Sequence, residues 1–180
     1  MADTTVRNAA SATTTDRLRL RRFVVGAHPR RTLLRAAALT VLAYATFGWV
    51  LLPVRGQGAS MAPTIGDGQL VLVNRWSYWR SDPQRGDIVA LRLAGRRVMY
   101  VKRIVGIPGD RVRIADGVVH VNGRRLDEPY VRQRSAWNVG EVALEAGEYL
   151  VIGDNRGMPM QQHEFGKAQR SRIVGRVIRW

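Results

Sequence analysis

Apolar residues first gather in one unbroken run and then recur in short alternating bursts. Ala36–Leu52, AAALTVLAYATFGWVLL, is 17 residues without a charge. With Leu33 and Leu34, and Arg35 reaching outward along its aliphatic stem, it becomes about 20 residues, or ~30 Å of helix. That length matches a hydrocarbon core. Its many alanines leave a buried core helix as the alternative, and Ala43-Tyr44-Ala45 offers a cleavable-leader reading. The flanks favour an uncleaved anchor, with arginines crowding the N-terminal side and Trp49 near the far end, where an interfacial aromatic belongs.

After Pro53 the pattern changes. QLVLVNR (69–75), DIVALRL (87–93), RVMYVKRIVG (97–106), DRVRIADGVVHVNG (110–123), EYLVIG (148–153) and SRIVGRVIRW (171–180) predict strands. Asp116-Gly117 is a two-residue hairpin signal, and Asn122-Gly123 offers a second turn. No long 3.6-residue apolar period follows residue 53. The expected fold class is mainly β: one N-terminal transmembrane helix, then a compact, mostly antiparallel β domain. The expected division is a basic cytoplasmic arm over 1–32, partly disordered, a membrane helix over 33–53 and an extracytoplasmic domain over 54–180.

Charge gives the anchor a direction. Of the formal +15, residues 1–35 carry eight arginines against Asp3 and Asp16. The positive-inside rule then places the N-terminus in the cytoplasm and the β domain on the outer face of the cell membrane. Such charge also suits a nucleic-acid binder. The C-terminal arginines are scattered, however, and no zinc finger, RNP-like motif or helix-turn-helix accompanies them, so no nucleic-acid partner is expected. WSYWR (76–80) reads equally as rings packing on the domain or as a contact with membrane lipid.

The chain has no cysteine, which excludes thiol catalysis and Cys-ligated zinc. Ser60, in GASMAPT, lies between residues that permit close backbone approach, Gly56 and Gly58, and a stiffening Pro63. A plain linker would not need Met61 and Ile65. Among the three histidines, His28 precedes the anchor, His120 reads as an outward strand position, and His163 lacks a second metal-ligand histidine. Of 29 basic residues 27 are arginine, and only Lys102 and Lys167 are lysine. Arginine cannot lose its proton in a protein, whereas a buried lysine can serve as a general base if its pKa falls by about two units. Lys102 sits in an apolar strand context, and Lys167 reads as solvated.

Together these residues resemble type I signal peptidases, membrane serine proteases with a Ser–Lys dyad. GASMAPTIGDGQLVLVNR is similar to the family's nucleophile box, YVKRIVGIPGD (100–110) to its lysine box and VIGDNR (151–156) to its last box. The resemblance implies Ser60 as nucleophile and Lys102 as base. It implies a backbone oxyanion donor at the nucleophile, with Gly58 where some members carry a hydroxyl. Met61, Ile65, Tyr100 and Val101 would wall shallow pockets for small side chains, and Asp154 and Arg156 would be structural, as an ion pair or turn-bonding set. The implied reaction is removal of signal peptides after an Ala-x-Ala type site, with no metal or organic cofactor. The last box departs from the family pattern, with Pro159 and Gln161 at the positions of a serine and an aspartate that help place the lysine. A main-chain carbonyl, a water or a side chain from 160–164, such as Gln162 or His163, would then orient Lys102. Competing readings are a specialised peptidase for one pilus or conjugation precursor and a degenerate, membrane-tethered peptide-binding module. A self-cleaving repressor is disfavoured by the anchor.

Overall fold

The computed structural model describes residues 29–92, 99–163 and 166–178. The expected arm 1–32 lies outside these up to residue 28, as do residue 93, residues 97–98 and residues 179–180 of three expected strands. The chain divides into two compact units, 1–46 and 47–180.

Helix α1 runs Pro29–Ala45, opened by a proline whose fixed φ suits a first helical turn. A π-helical stretch, Thr46–Val50, continues it. The 22 residues from Pro29 to Val50 are long and apolar enough to cross a membrane, and none of that apolar window is buried.

Within the expected span 33–53 the chain changes from helix to strand. Strand β1, Leu51–Arg55, takes its last three residues. Leu51 and Leu52 lie opposite Asn74 and Val73 of β2, Leu70–Asn74. Leu52 and Val54 also pack on the domain's own core, which claims them from the apolar run. Pro53 is tolerated because β1 is an edge strand.

The other strands are β3 (Ile88–Leu91), β4 (Tyr100–Gly106), β5 (Arg111–Ala115), β6 (Val118–Val121), β7 (Arg124–Arg125), β8 (Val139–Ala143), β9 (Glu148–Ile152), β10 (Gly166–Gln169) and β11 (Ile173–Ile178). Seven form one sheet in the order β1-β2-β11-β3-β4-β9-β10, and four form a second, β7-β6-β5-β8. Every pairing is antiparallel. At the expected hairpin, Asp116 and Gly117 both take positive φ, 48° and 74°, as a two-residue turn between twisted strands requires.

Each face of the larger sheet has its own core. Strand β3 explains how: Ile88 and Ala90 join one cluster while Val89 and Leu91 join the other. The first cluster adds Val71, Val73, Val101 and Val177, and is closed by Met61 and Ile65. A third cluster, around Val105, Val112, Trp137 and Ile152, joins the two sheets. Strand β4 crosses from one environment to the other, with a register shift between Ile104 and Gly106. At Gly106 a Cβ would come within 2.7 Å of Leu144 and Val112.

Candidate active site

The segment between β1 and β2 folds back on itself and presents Ser60. Gly56 N–H donates to the Gln69 carbonyl at 2.9 Å and Gly68 N–H to the Gly56 carbonyl at 2.8 Å, closing its base. Gly58 has φ 85°, a conformation that a side chain disfavours, and its N–H donates to Asp67 Oδ1 at 2.8 Å. Met61 and Ile65 are 4% and 2% exposed, so the segment is pinned by apolar burial and is not a loose linker.

Lys102 reaches the same place from β4. Its side chain is 2% exposed, and Nζ lies 2.9 Å from Ser60 Oγ. Ser60 opens onto a cavity of about 370 Å³. Gly58, Met61, Ile65, Tyr100 and Val101 all line it, together with Val54, Arg55 and Met99. The cavity is therefore bounded by β1 on one side and the start of β4 on the other. Strand β4 pairs with β3 over Tyr100–Arg103, but β9 joins it only from Arg103 onward. Among the described residues, one side of Tyr100–Lys102 has no strand beside it.

The turn after β9 holds Ser60 from behind. Asn155 N–H donates to the Ser60 carbonyl at 3.0 Å, and Asn155 Nδ2 donates to the Ala59 carbonyl at 3.0 Å. Gly153 lies against this contact, where a Cβ would overlap both the Ser60 carbonyl oxygen and His163 Cε1.

Arg156 N–H donates to the Asp154 carbonyl at 3.0 Å, while their side chains form ion pairs with other residues. Asp154 binds Arg103, whose Nη1 also donates to the Gly86 carbonyl and whose guanidinium stacks 3.8 Å from the centre of the Tyr130 ring. Arg156 binds Glu128 through Nη2 and the Gly153 carbonyl through Nε, at 2.8 Å for the latter. Tyr130 OH donates to the same Glu128 oxygen. Burial alone would lower the Arg103 pKa, but the Asp154 carboxylate outweighs it and holds the guanidinium above its usual value. Burial and the Glu128 carboxylate push the Tyr130 phenol up.

Pro159, Gln161 and Gln162 are exposed, whereas His163 is 6% exposed. Its Nε2 is 2.8 Å from the Asn155 carbonyl, and its ring meets Trp137 edge-on at 4.8 Å. Burial holds the His163 pKa below the usual value; the Asn155 bond opposes this and the positive charges of Lys102 and Arg156 add to it. His120, half-buried, lies 3.1 Å from the Val118 carbonyl, and Lys167 is an exposed partner of Glu148. Arg103, Glu128 and Asn155 escaped sequence reasoning. The adjacent Lys102-Arg103 pair and the GDNR run were the available signals, but neither names a partner.

A family model for signal peptidase, peptidase S26, matches residues 30–180. The chain is 38% identical over 126 residues to a probable signal peptidase I-2 of Synechocystis, covering 67% of this chain and 58% of that protein. It thus spans less than two thirds of that relative's length. It is 30% identical over 159 residues to signal peptidase IB of Staphylococcus aureus, covering 78% of this chain and 83% of that one. A crystal structure of a signal peptidase I from Enterococcus faecalis aligns with TM-score 0.42 and 25% identity, over 53% of this chain and 97% of that one. With the family model matching nearly all of the chain beyond its first 29 residues, this protein belongs to the signal peptidase family, peptidase S26.

Proposed function

We propose that the chain is a membrane-anchored serine endopeptidase that removes N-terminal signal peptides from precursor proteins, using Ser60 and Lys102. The observation that carries this is the 2.9 Å approach of Lys102 Nζ to Ser60 Oγ beside an open cavity. In its amine form Lys102 takes the Ser60 proton as Oγ bonds to the scissile carbonyl carbon. The developing oxyanion is met by backbone donors at the nucleophile, and one such donor is worth about 3–4 kcal/mol in related chemistry. Lys102 then passes the proton to the leaving amine as the C–N bond breaks. Water, deprotonated by the same amine, hydrolyses the acyl-serine ester.

The precursor lies extended between β1 and the start of β4, adding a strand and using main-chain hydrogen bonds for affinity. Met61, Ile65, Tyr100 and Val101 line one cavity, and their bulk supports a preference for alanine-sized side chains. Eight arginines in residues 1–35, of which Arg30, Arg31 and Arg35 lie at the N-terminal end of the helix, support a cytoplasmic N-terminus, with the peptidase domain outside the cell membrane. Trp76 and Trp79, 58% and 73% exposed, support contact with lipid headgroups.

The test is cleavage of a precursor bearing an Ala-x-Ala site by detergent-solubilised protein. Wild type should release the mature protein and Ser60→Ala should not. Equal behaviour of the two would refute the assignment.

A further inference from the structure

His163 is buried beside the dyad, yet the mechanism gives it no proton to move. We propose that His163 is a positioning residue: its Nε2–H holds the Asn155 carbonyl and thereby fixes the Ala59–Ser60 peptide against Lys102. This rests on the peptidase reading.

The contacts form a relay. His163 Nε2 donates to the Asn155 carbonyl at 2.8 Å. Asn155 in turn donates to two successive carbonyls, of Ser60 from its backbone and of Ala59 from its side chain, each at 3.0 Å. The other donor near the Asn155 carbonyl, Met158 N–H, is 3.4 Å away, so the imidazole makes the closer bond. A carbonyl can only accept, so Nε2 carries the hydrogen.

The ring has little freedom to leave. Trp137 packs against it in a T-shaped contact, and Trp137 Nε1 is tied to the Met158 carbonyl at 3.0 Å. Gly153, by lacking a Cβ, makes room for Cε1. The other ring nitrogen, Nδ1, is buried with no hydrogen-bond partner among the described residues. A leucine of similar bulk would fill the site without leaving a buried polar atom unpaired. A histidine there is explained by what its Nε2–H does. Burial opposes a second proton on the ring, and the Arg156 guanidinium from the turn adds to this, as does Lys102 from β4 whenever it carries its own proton. The nearby carboxylates, Asp154 and Glu128, are engaged by Arg103 and Arg156.

The experiment compares wild type, Ser60→Ala, His163→Leu and His163→Gln on one Ala-x-Ala peptide at about pH 8. Loss of the donor should lower kcat by roughly 10- to 100-fold with KM within about two-fold, since a misplaced nucleophile harms turnover more than binding. Glutamine, which can present an amide N–H at similar reach but cannot ionise, should recover most of kcat. In a His28→Ala, His120→Ala background, side-chain ¹⁵N spectra should show His163 with a protonated Nε2 and a bare Nδ1. Unchanged kcat in a folded His163→Leu, no recovery by glutamine, or a spectrum with the proton on Nδ1 would each overturn the proposal. If wild type is as inert as Ser60→Ala, the peptidase reading itself fails and this inference falls with it.

Discussion

Arg103 and Asp154 grip one another through two parallel hydrogen bonds, Nε to Oδ1 at 2.8 Å and Nη2 to Oδ2 at 2.6 Å. The carboxylate is fully buried and the guanidinium side chain is 11% exposed. Arg103 follows Lys102 on β4, and Asp154 precedes Asn155, which holds Ser60. One ion pair thus ties the strand bearing the amine to the turn behind the hydroxyl. Bidentate charge-assisted bonds fix angle as well as distance, which a relay measured in tenths of an ångström needs.

Asp154→Ala strands a buried guanidinium and should cost about 3–5 kcal/mol of stability. Urea unfolding in detergent would measure it. A cost under about 1 kcal/mol would show the pair to be dispensable.

Gly153→Ala places a methyl where the Ser60 carbonyl and the His163 ring already are. The backbone must yield on the nucleophile's side. Turnover should fall on the order of 100-fold, the cost of a reacting atom misplaced by about an ångström. Steady-state kinetics on a folded sample decides this, and wild-type kcat would contradict the close approach.

Lys102→Arg keeps a cation but cannot accept a proton near neutrality. Cleavage should drop to the Ser60→Ala level while the unfolding midpoint changes far less. Retained turnover would remove Lys102 from the role of base.

Asp110 predicts an acid dependence of stability. Burial raises its pKa, but the Ile107 N–H, Arg85 and Asn122 together outweigh burial and hold it below 3.8. With the folded value below the unfolded one, the contribution is complete above the unfolded pKa and fades as pH falls through the folded value. Wild type should lose stability below about pH 4. Asp110→Asn should be weaker at pH 7, and its urea midpoint should move less in acid. Parallel pH curves for the two would contradict this.

Sidedness can be read chemically, because the chain has no cysteine to remove first. In intact cells a membrane-impermeant maleimide should label Ala136→Cys, at an exposed position, and spare Ser11→Cys. The reverse pattern would invert the proposed topology.

Strands with regular alternation were legible in the sequence, as were the turns written by Asp116-Gly117 and Asn122-Gly123. Strand β1 was not, because Leu51 and Leu52 continue the apolar run of α1 and only pairing with β2 separates them. Strands β7 and β10 are short and polar, and β8, VGEVA, lacks regular alternation, so their pairing supplies what their sequence does not. Ser60 and Lys102 could be singled out by local context and by the scarcity of lysine. Arg103–Asp154 and His163–Asn155 could not, since residues 51 and 8 positions apart meet only through the fold.

The side of Tyr100–Lys102 with no strand beside it among the described residues has a pharmacological consequence. A site that reads a peptide's main chain is indifferent to most of its side chains and sensitive to methylation of its amide nitrogens. A non-hydrolysable Ala-x-Ala mimic should therefore compete for the groove, and its N-methylated twin, with every side chain retained, should not.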